Sequence, residues 1–193
     1  MSDKRNTHAA LQPQRLTLRN KLGRGLWGLV WITLFRPTPR PLHRWRCLLL
    51  KLFGAQLGQR VSVYQSARIW APWNLEMAEG SCLGDFVDAY CVDKIKLGKG
   101  AIVSQYAFLC TASHDYTDIN RPLITAPIEI GAHAWVTADV FVAPGVTIGE
   151  GAVVTARSSV FANIDPWMVA SGNPAEVIRA RVLKSGKNPA CQC

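Results

Sequence analysis

His114 is the side chain in this sequence best suited to moving a proton. It lies in LCTASHDYTDINRPLITAP, residues 109–127, immediately before Asp115. A neutral imidazole can take the proton of a hydroxyl at neutral pH as that oxygen attacks a carbonyl. Asp115 can orient the ring or cap a turn. Two carboxylates in GDFVDAYCVDK, Asp88 and Asp93, could hold the second ring nitrogen or stand as solvated turn residues. Cys110, four positions before His114, is a weaker nucleophile candidate. His133, in IGAHAW, reads as an exposed turn residue. These two histidines are too few for a zinc site, and no metal is expected. The six cysteines, Cys47, Cys82, Cys91, Cys110, Cys191 and Cys193, form no CxxC pair. Reduced thiols in a cytoplasmic protein are the expectation.

The elements that must position His114 show in a repeat. An aliphatic ladder runs Leu57, Val63, Ile69; Met77, Leu83, Ala89; Leu97, Val103, Leu109; Ile130, Val136, Val142; Ile148, Val154, Val160. Spacing within each group is six, which fits neither a helix period of about 3.6 nor a long strand period of 2. It fits a short strand and a turn, repeated. Three such units close one triangular coil, and five stacked coils bury rungs that one coil could not. A small residue follows each first rung (Gly58, Ala78, Gly98, Gly131, Gly149) and is expected to let the chain turn. Three irregular spacings, after Ile69, Ala89 and Leu109, all follow the third rung of a coil. The extra residues therefore leave from one corner of the prism as loops, and the largest of these loops carries His114.

The remaining segments divide by charge. No acidic residue lies between Asp3 and Glu76, where 13 of the 22 Lys and Arg fall; from Glu76 onward there are 9 basic against 12 acidic residues. The chain is a basic arm on a mildly acidic body. Such an arm suits phosphate-rich partners. In it Leu22, Leu26, Leu29, Val30 and Leu34 recur at helical spacing until Pro37, Pro39 and Pro41 break the run. A second apolar cluster extends from Trp45 to Phe53. These helices either cap the open first coil or lie flat on a membrane surface. The apolar stretch Leu26–Phe35 is ten residues, short of the roughly 20 a bilayer span needs, and no cleavable leader is visible. Near the other end, Asn173-Pro174-Ala175-Glu176 reads as a helix start, with Asn as N-cap, Pro at the first position and Glu at the third. The expected fold is all-β: a parallel β-helix of five coils with an N-terminal helical arm and a C-terminal helix. Its parts are a disordered basic segment 1–14, a basic Trp-rich helical arm 15–56, the β-helix 57–165 with the His-bearing loop 110–129, a C-terminal turn and helix 166–183, and a tail 184–193.

The ladder, the His-bearing loop and the ending SGNPAEVIRAR together resemble the hexapeptide-repeat acyltransferases. More narrowly, LWGLVW, LFRPTPRPLHRW, ARIWAPWNLEM and CTASHDY resemble the bacterial exopolysaccharide O-acetyltransferases of the colanic-acid type, over about residues 18–183. That resemblance implies a left-handed coil and a homotrimer with active sites between subunits. It implies acetyl-CoA as co-substrate and His114 as general base for direct transfer to a sugar hydroxyl of an exopolysaccharide or its lipid-linked repeat unit. It places Trp135, Ala138 and Ala156 against the cofactor arm, and Arg179 at a CoA phosphate. Asp88 stands close to where related sugar acetyltransferases carry an Asn near the acceptor, a departure from that pattern. The expected setting is cytoplasmic, with possible peripheral contact at the inner membrane through residues 15–53 and with no nucleic acid as partner. Two other readings use the same residues: an acetyltransferase for another hydroxyl or amino acceptor, and a non-catalytic repeat scaffold whose basic arm binds membrane or nucleic acid. Acceptor-dependent release of CoA separates enzyme from scaffold.

Overall fold

Each six-residue unit becomes a two- or three-residue strand and a turn in the computed structural model, which describes residues 11–13 and 17–184. The strands stack in parallel into three faces. Face one runs through Leu57, Met77, Leu97, Ile130 and Ile148, each paired with the next. Face two runs through Val63, Leu83, Val103, Val136 and Val154. Face three runs through Ile69, Ala89, Leu109, Val142 and Val160. All fifteen ladder positions fall in strands, and apart from half-buried Leu57 at the open end they are buried. Between the five complete coils and the end of the chain lies a partial sixth. Ile164 bridges Ile148, and Met168–Gly172 pairs with Val153–Val154.

The small residue after the first rung has a different purpose from the one expected. A Cβ built on Gly98 would lie 2.5 Å from the Ala132 nitrogen of the next coil, and one on Gly131 would lie 2.5 Å from the Glu150 nitrogen. These glycines allow coils to approach. Turning falls instead to residues with positive φ two places on, such as His133 (φ 56°), and at the next corner Tyr106 (62°), Asp139 (58°) and Arg157 (61°).

The C-terminal helix is not formed. Met168–Gly172 and Ala175–Ala180 make an antiparallel hairpin around the Asn173–Pro174 turn. The capping pattern was present, but the last coil leaves face two with an open edge. The β-branched Val177 and Ile178 suit a strand that covers it. The N-terminal segment differs as well: Gln12–Pro13 pairs with Leu123–Thr125 rather than hanging free. Residues 1–10 and 185–193, with Cys191 and Cys193, lie outside the described residues, as does Arg15.

The arm caps the first coil. Helix α1 (Leu18–Val30) runs into a wider turn, Trp31–Phe35, and α2 (His43–Leu52) follows. The first coil has main-chain carbonyls with no earlier coil to accept from, and unpaired buried carbonyls are costly. The arm supplies donors. Trp27 Nε1 donates to the Ile69 carbonyl at 2.7 Å and Trp31 Nε1 to that of Ala67 at 2.9 Å. Arg46, fully buried, donates through Nε to the Val63 carbonyl at 2.6 Å. Its other nitrogens reach Thr38 Oγ1 and the carbonyls of Pro39 and Arg40. Two of the three tryptophans that gave the arm its membrane-like composition, Trp27 and Trp31, therefore face the solenoid, and Trp45 is exposed. Among the described residues no helix is long and apolar enough to cross a membrane.

Candidate active site

All extra residues do leave from the corner between faces three and one, and the largest excursion is itself ordered. Ala112–His114 pairs antiparallel with Leu123–Thr125, and Gln12–Pro13 adds a third strand. The base of this hairpin is clamped by buried hydroxyls. Thr111 Oγ1 donates to the Tyr90 carbonyl at 2.7 Å and accepts from the Asp93 amide at 2.9 Å. Thr125 Oγ1 donates to Asp93 Oδ2 at 3.1 Å. Asp93 thus anchors the hairpin and does not orient His114.

His114 is exposed, opposite Leu123. Its Nδ1 lies 2.7 Å from the Arg121 carbonyl. A carbonyl can only accept, so Nδ1 carries the proton in the neutral ring, and Nε2 keeps its lone pair. The orienting partner is a main-chain oxygen, held by a tight turn. Arg121 has φ 45°, its amide donates to the Asp118 carbonyl at 2.9 Å, and Asp118 Oδ1 accepts from the Asn120 amide at 2.8 Å. Asp115 has the second of its expected roles. Its Oδ1 accepts from the Thr117 hydroxyl and amide, and these bonds hold its carboxyl below the usual range.

Asp88 lies on face three rather than in a turn. It is half-buried, 3.8 Å from Arg68 Nη1, beside a column of aromatic rings formed by Tyr90, Phe108, Phe141 and Phe161. Burial pushes its carboxyl up, and Arg68 opposes that only in part. No hydrogen bond joins Asp88 or Asp115 to His114 among the described residues. The Cys110 thiol is raised by burial and donates to the Ala112 carbonyl, so it is a poor nucleophile. No cluster of three or more His, Cys, Asp or Glu side chains that could hold a metal occurs among the described residues.

The expected cofactor residues lie elsewhere on the prism. Ala138 and Ala156 line a groove of about 310 Å³ at the corner between faces two and three, with Gln105, Tyr106, Asp139 and Arg157. A second hollow of about 600 Å³ shares Gln105 and Tyr106 and continues toward Arg40 and Asp85, which are themselves ion-paired. Trp135 stands outward on face two, its indole donating to Ser104 Oγ at 2.9 Å, and Ser104 lines that hollow. Arg179 is on the terminal strand, opposite Val169, and Val169 is level with Val153 and Trp135 across face two. His133 is exposed at a turn, its carbonyl accepting from Arg181. The structure groups Ala138 with Ala156 and aligns Trp135 with Arg179. It sets His114 apart from all four, across the width of face three.

Comparison with known proteins agrees with this architecture. The chain is 46% identical over 157 residues to a protein of Escherichia coli K12 that bears the name colanic acid biosynthesis acetyltransferase WcaF; the match covers 81% of this chain and 86% of that one. A maltose O-acetyltransferase from Clostridium difficile superimposes with a TM-score of 0.74 at 26% identity, over 86% of this chain and 90% of that one. A hexapeptide-repeat acetyltransferase from Vibrio cholerae, solved with acetyl coenzyme A, shares the fold with a TM-score of 0.75 at 21% identity, over 89% and 91% of the two chains. No protein-family model matches the chain.

Proposed function

Because the chain belongs to the family of hexapeptide-repeat acetyltransferases that includes the colanic acid biosynthesis protein WcaF, we propose that it transfers an acetyl group from acetyl-CoA to a sugar hydroxyl of an exopolysaccharide or its lipid-linked repeat unit. The observation that carries this reading is His114 itself: an exposed ring on a clamped hairpin, with Nδ1 bound to a carbonyl and Nε2 open toward solvent.

Acetyl-CoA supplies the thioester, whose C–S bond breaks as the new ester C–O bond forms. His114 accepts the acceptor hydroxyl proton at Nε2 and returns it to the departing sulfur. The Arg121 carbonyl keeps the ring in the tautomer this needs and stabilises the imidazolium while the proton is held. Direct transfer leaves Cys110 without a part. The corner groove, floored by Ala138 and Ala156, fits the extended arm of the donor: methyl side chains let a ligand lie against the backbone there. In this reading Trp135, whose indole binds Ser104 of the adjoining hollow, packs on the donor from face two, and Arg179 on the terminal strand meets a phosphate. Asp88, poorly solvated beside exposed aromatic rings, suits a sugar hydroxyl more than a charged partner.

Within one chain His114 and this groove stand a face apart. A closed threefold assembly, in which the hairpin of one copy overhangs the groove of the next, brings them together three times over. The aromatic column on face three, in which Phe108 and Phe161 are exposed, gives such an assembly apolar surface to bury. The test is release of free CoA from acetyl-CoA in the presence of exopolysaccharide fragments, with light scattering on the same sample. Acceptor-dependent release from a trimer is expected. Acetyl-CoA binding without release across a broad saccharide panel, or an active monomer, overturns the reading.

A further inference from the structure

From the outward face of the arm we infer that this protein docks, flat and without spanning, on the surface of an anionic lipid bilayer. Helix α1 buries Trp27 against the solenoid. On its opposite side Leu18, Leu22, Leu26 and Leu29 are 57–77% exposed. At 100° per residue these four leucines fall within an arc of about 80°. Arg19 and Lys21, both exposed, flank that arc on either side. Helix α2 repeats the arrangement. Trp45, Leu48 and Leu52 form an exposed stripe, with Arg44 and Lys51 along one margin. Leu52 shares a hollow with Arg19 and Gly23 of α1, so the two helices lie side by side.

Capping does not account for these leucines. The cap is made by Trp27, Trp31, Phe35, Arg46, Leu49 and Leu50. A soluble monomer rarely exposes so continuous an apolar surface. The occupant is identified by charge. With no Asp or Glu between Asp3 and Glu76, every charged side chain that the arm itself sets beside the leucines is a cation. Two copies placed stripe to stripe would oppose like charges. A bilayer whose headgroups carry phosphate complements both parts, taking leucines into the acyl boundary while the cations reach the phosphates. Docking sets the first coil toward the membrane, and the third coil, which bears the His114 hairpin, about 10 Å farther out along the stack. The inference stands apart from the acyl-transfer reading, since it uses no residue of that site.

The experiment is flotation of the full-length chain with phosphatidylcholine vesicles, with and without phosphatidylglycerol, at low and high salt. Two variants accompany it: Leu22→Ser/Leu26→Ser/Leu29→Ser, and Arg19→Gln/Lys21→Gln/Arg44→Gln/Lys51→Gln. All seven side chains are exposed, and thermal melts check that each variant folds. The wild type is expected to float with phosphatidylglycerol vesicles only and to be released by salt. The serine variant should stay at the bottom. The glutamine variant should bind about 600-fold more weakly, each of the four cations near an anionic surface being worth roughly a factor of five. No flotation at low salt overturns the inference, as does flotation of the serine variant equal to wild type. A smaller assembly for the serine variant than for the wild type in solution assigns the stripe to contact between copies, and also overturns it.

Discussion

The coils and the hairpin that interrupts them are both built from short extended segments, but their side chains do opposite work. In the coils, alternate residues point inward and are sealed: Leu83, Val103, Leu109, Val136 and Val142 have no exposed surface. The hairpin's strands end in an exposed histidine and tip residues held mainly by polar contacts: Asp115 to Thr117, Asp118 to Asn120. Only its base, at Thr111, Thr125 and Asp93, is built like a core. A stiff repeat thus provides a frame that contributes stability and almost no chemistry. A short irregular excursion presents the exposed imidazole to which we assign the chemistry, and contributes almost no stability. Substitutions in the two regions should separate cleanly, and four of them sharpen the contrast.

The largest effect should come from a rung. Leu109→Ala deletes a fully buried side chain on the coil from which the hairpin departs. It is expected to lower unfolding free energy by about 2–5 kcal/mol, read by urea denaturation. Next is Gly131→Ala, whose new Cβ would meet the Glu150 nitrogen at 2.5 Å. The coils must separate to admit it, at about 1–3 kcal/mol. A melting temperature equal to wild type would show that close approach of coils is not what the glycine provides. In the hairpin, Asp118→Ala loosens the turn behind the Arg121 carbonyl. Turnover should fall about tenfold while the melting temperature holds. A fall in stability with unchanged turnover would reverse the comparison.

The smallest effect is at Asp88. Burial raises its carboxyl in the folded state. Above that value the folded chain holds a carboxylate that the unfolded chain solvates better, so the group destabilises at neutral pH. The penalty is relieved as pH falls through the raised folded value toward the unfolded one. Asp88→Asn should therefore melt slightly higher than wild type at pH 7, and the gap should close toward pH 4. A gap that widens on acidification would show that the Arg68 contact outweighs burial.

The same contrast explains what the sequence could and could not tell. A rung must be apolar and must recur every six residues, so all fifteen positions were readable by counting. The corner from which the loops leave was readable for the same reason. The hairpin was not. Its pairing of Ser113 with Ile124 and of Gln12 with Thr125 is set by what the coil below leaves room for, and Gln12 is 113 residues from Thr125 in the chain. The atom that orients His114 is a main-chain oxygen, which any residue at 121 supplies, so no side-chain code announces it. Asp88, Asp93 and Asp115 each stood as a candidate to orient the ring, beside a plain turn role, because carboxylates are what sequence reading can see. The arm misled in a similar way. Trp27, Trp31 and Arg46 have the composition of a membrane face and act as donors to the first coil. The plain leucines between them are the exposed ones. At the other end a valid helix-capping pattern lost to an unpaired strand edge, a demand that only the assembled coil creates.

The most direct test of the division between frame and chemistry is His114→Ala, with CoA release and thermal unfolding measured on one preparation. The side chain is exposed, and its single hydrogen bond is to a carbonyl that water can satisfy. The melting temperature should match wild type, while turnover falls about 10²–10⁴-fold through loss of the general base. Near-normal turnover in a folded His114→Ala protein would contradict the assignment of the hairpin as the place where the chemistry occurs.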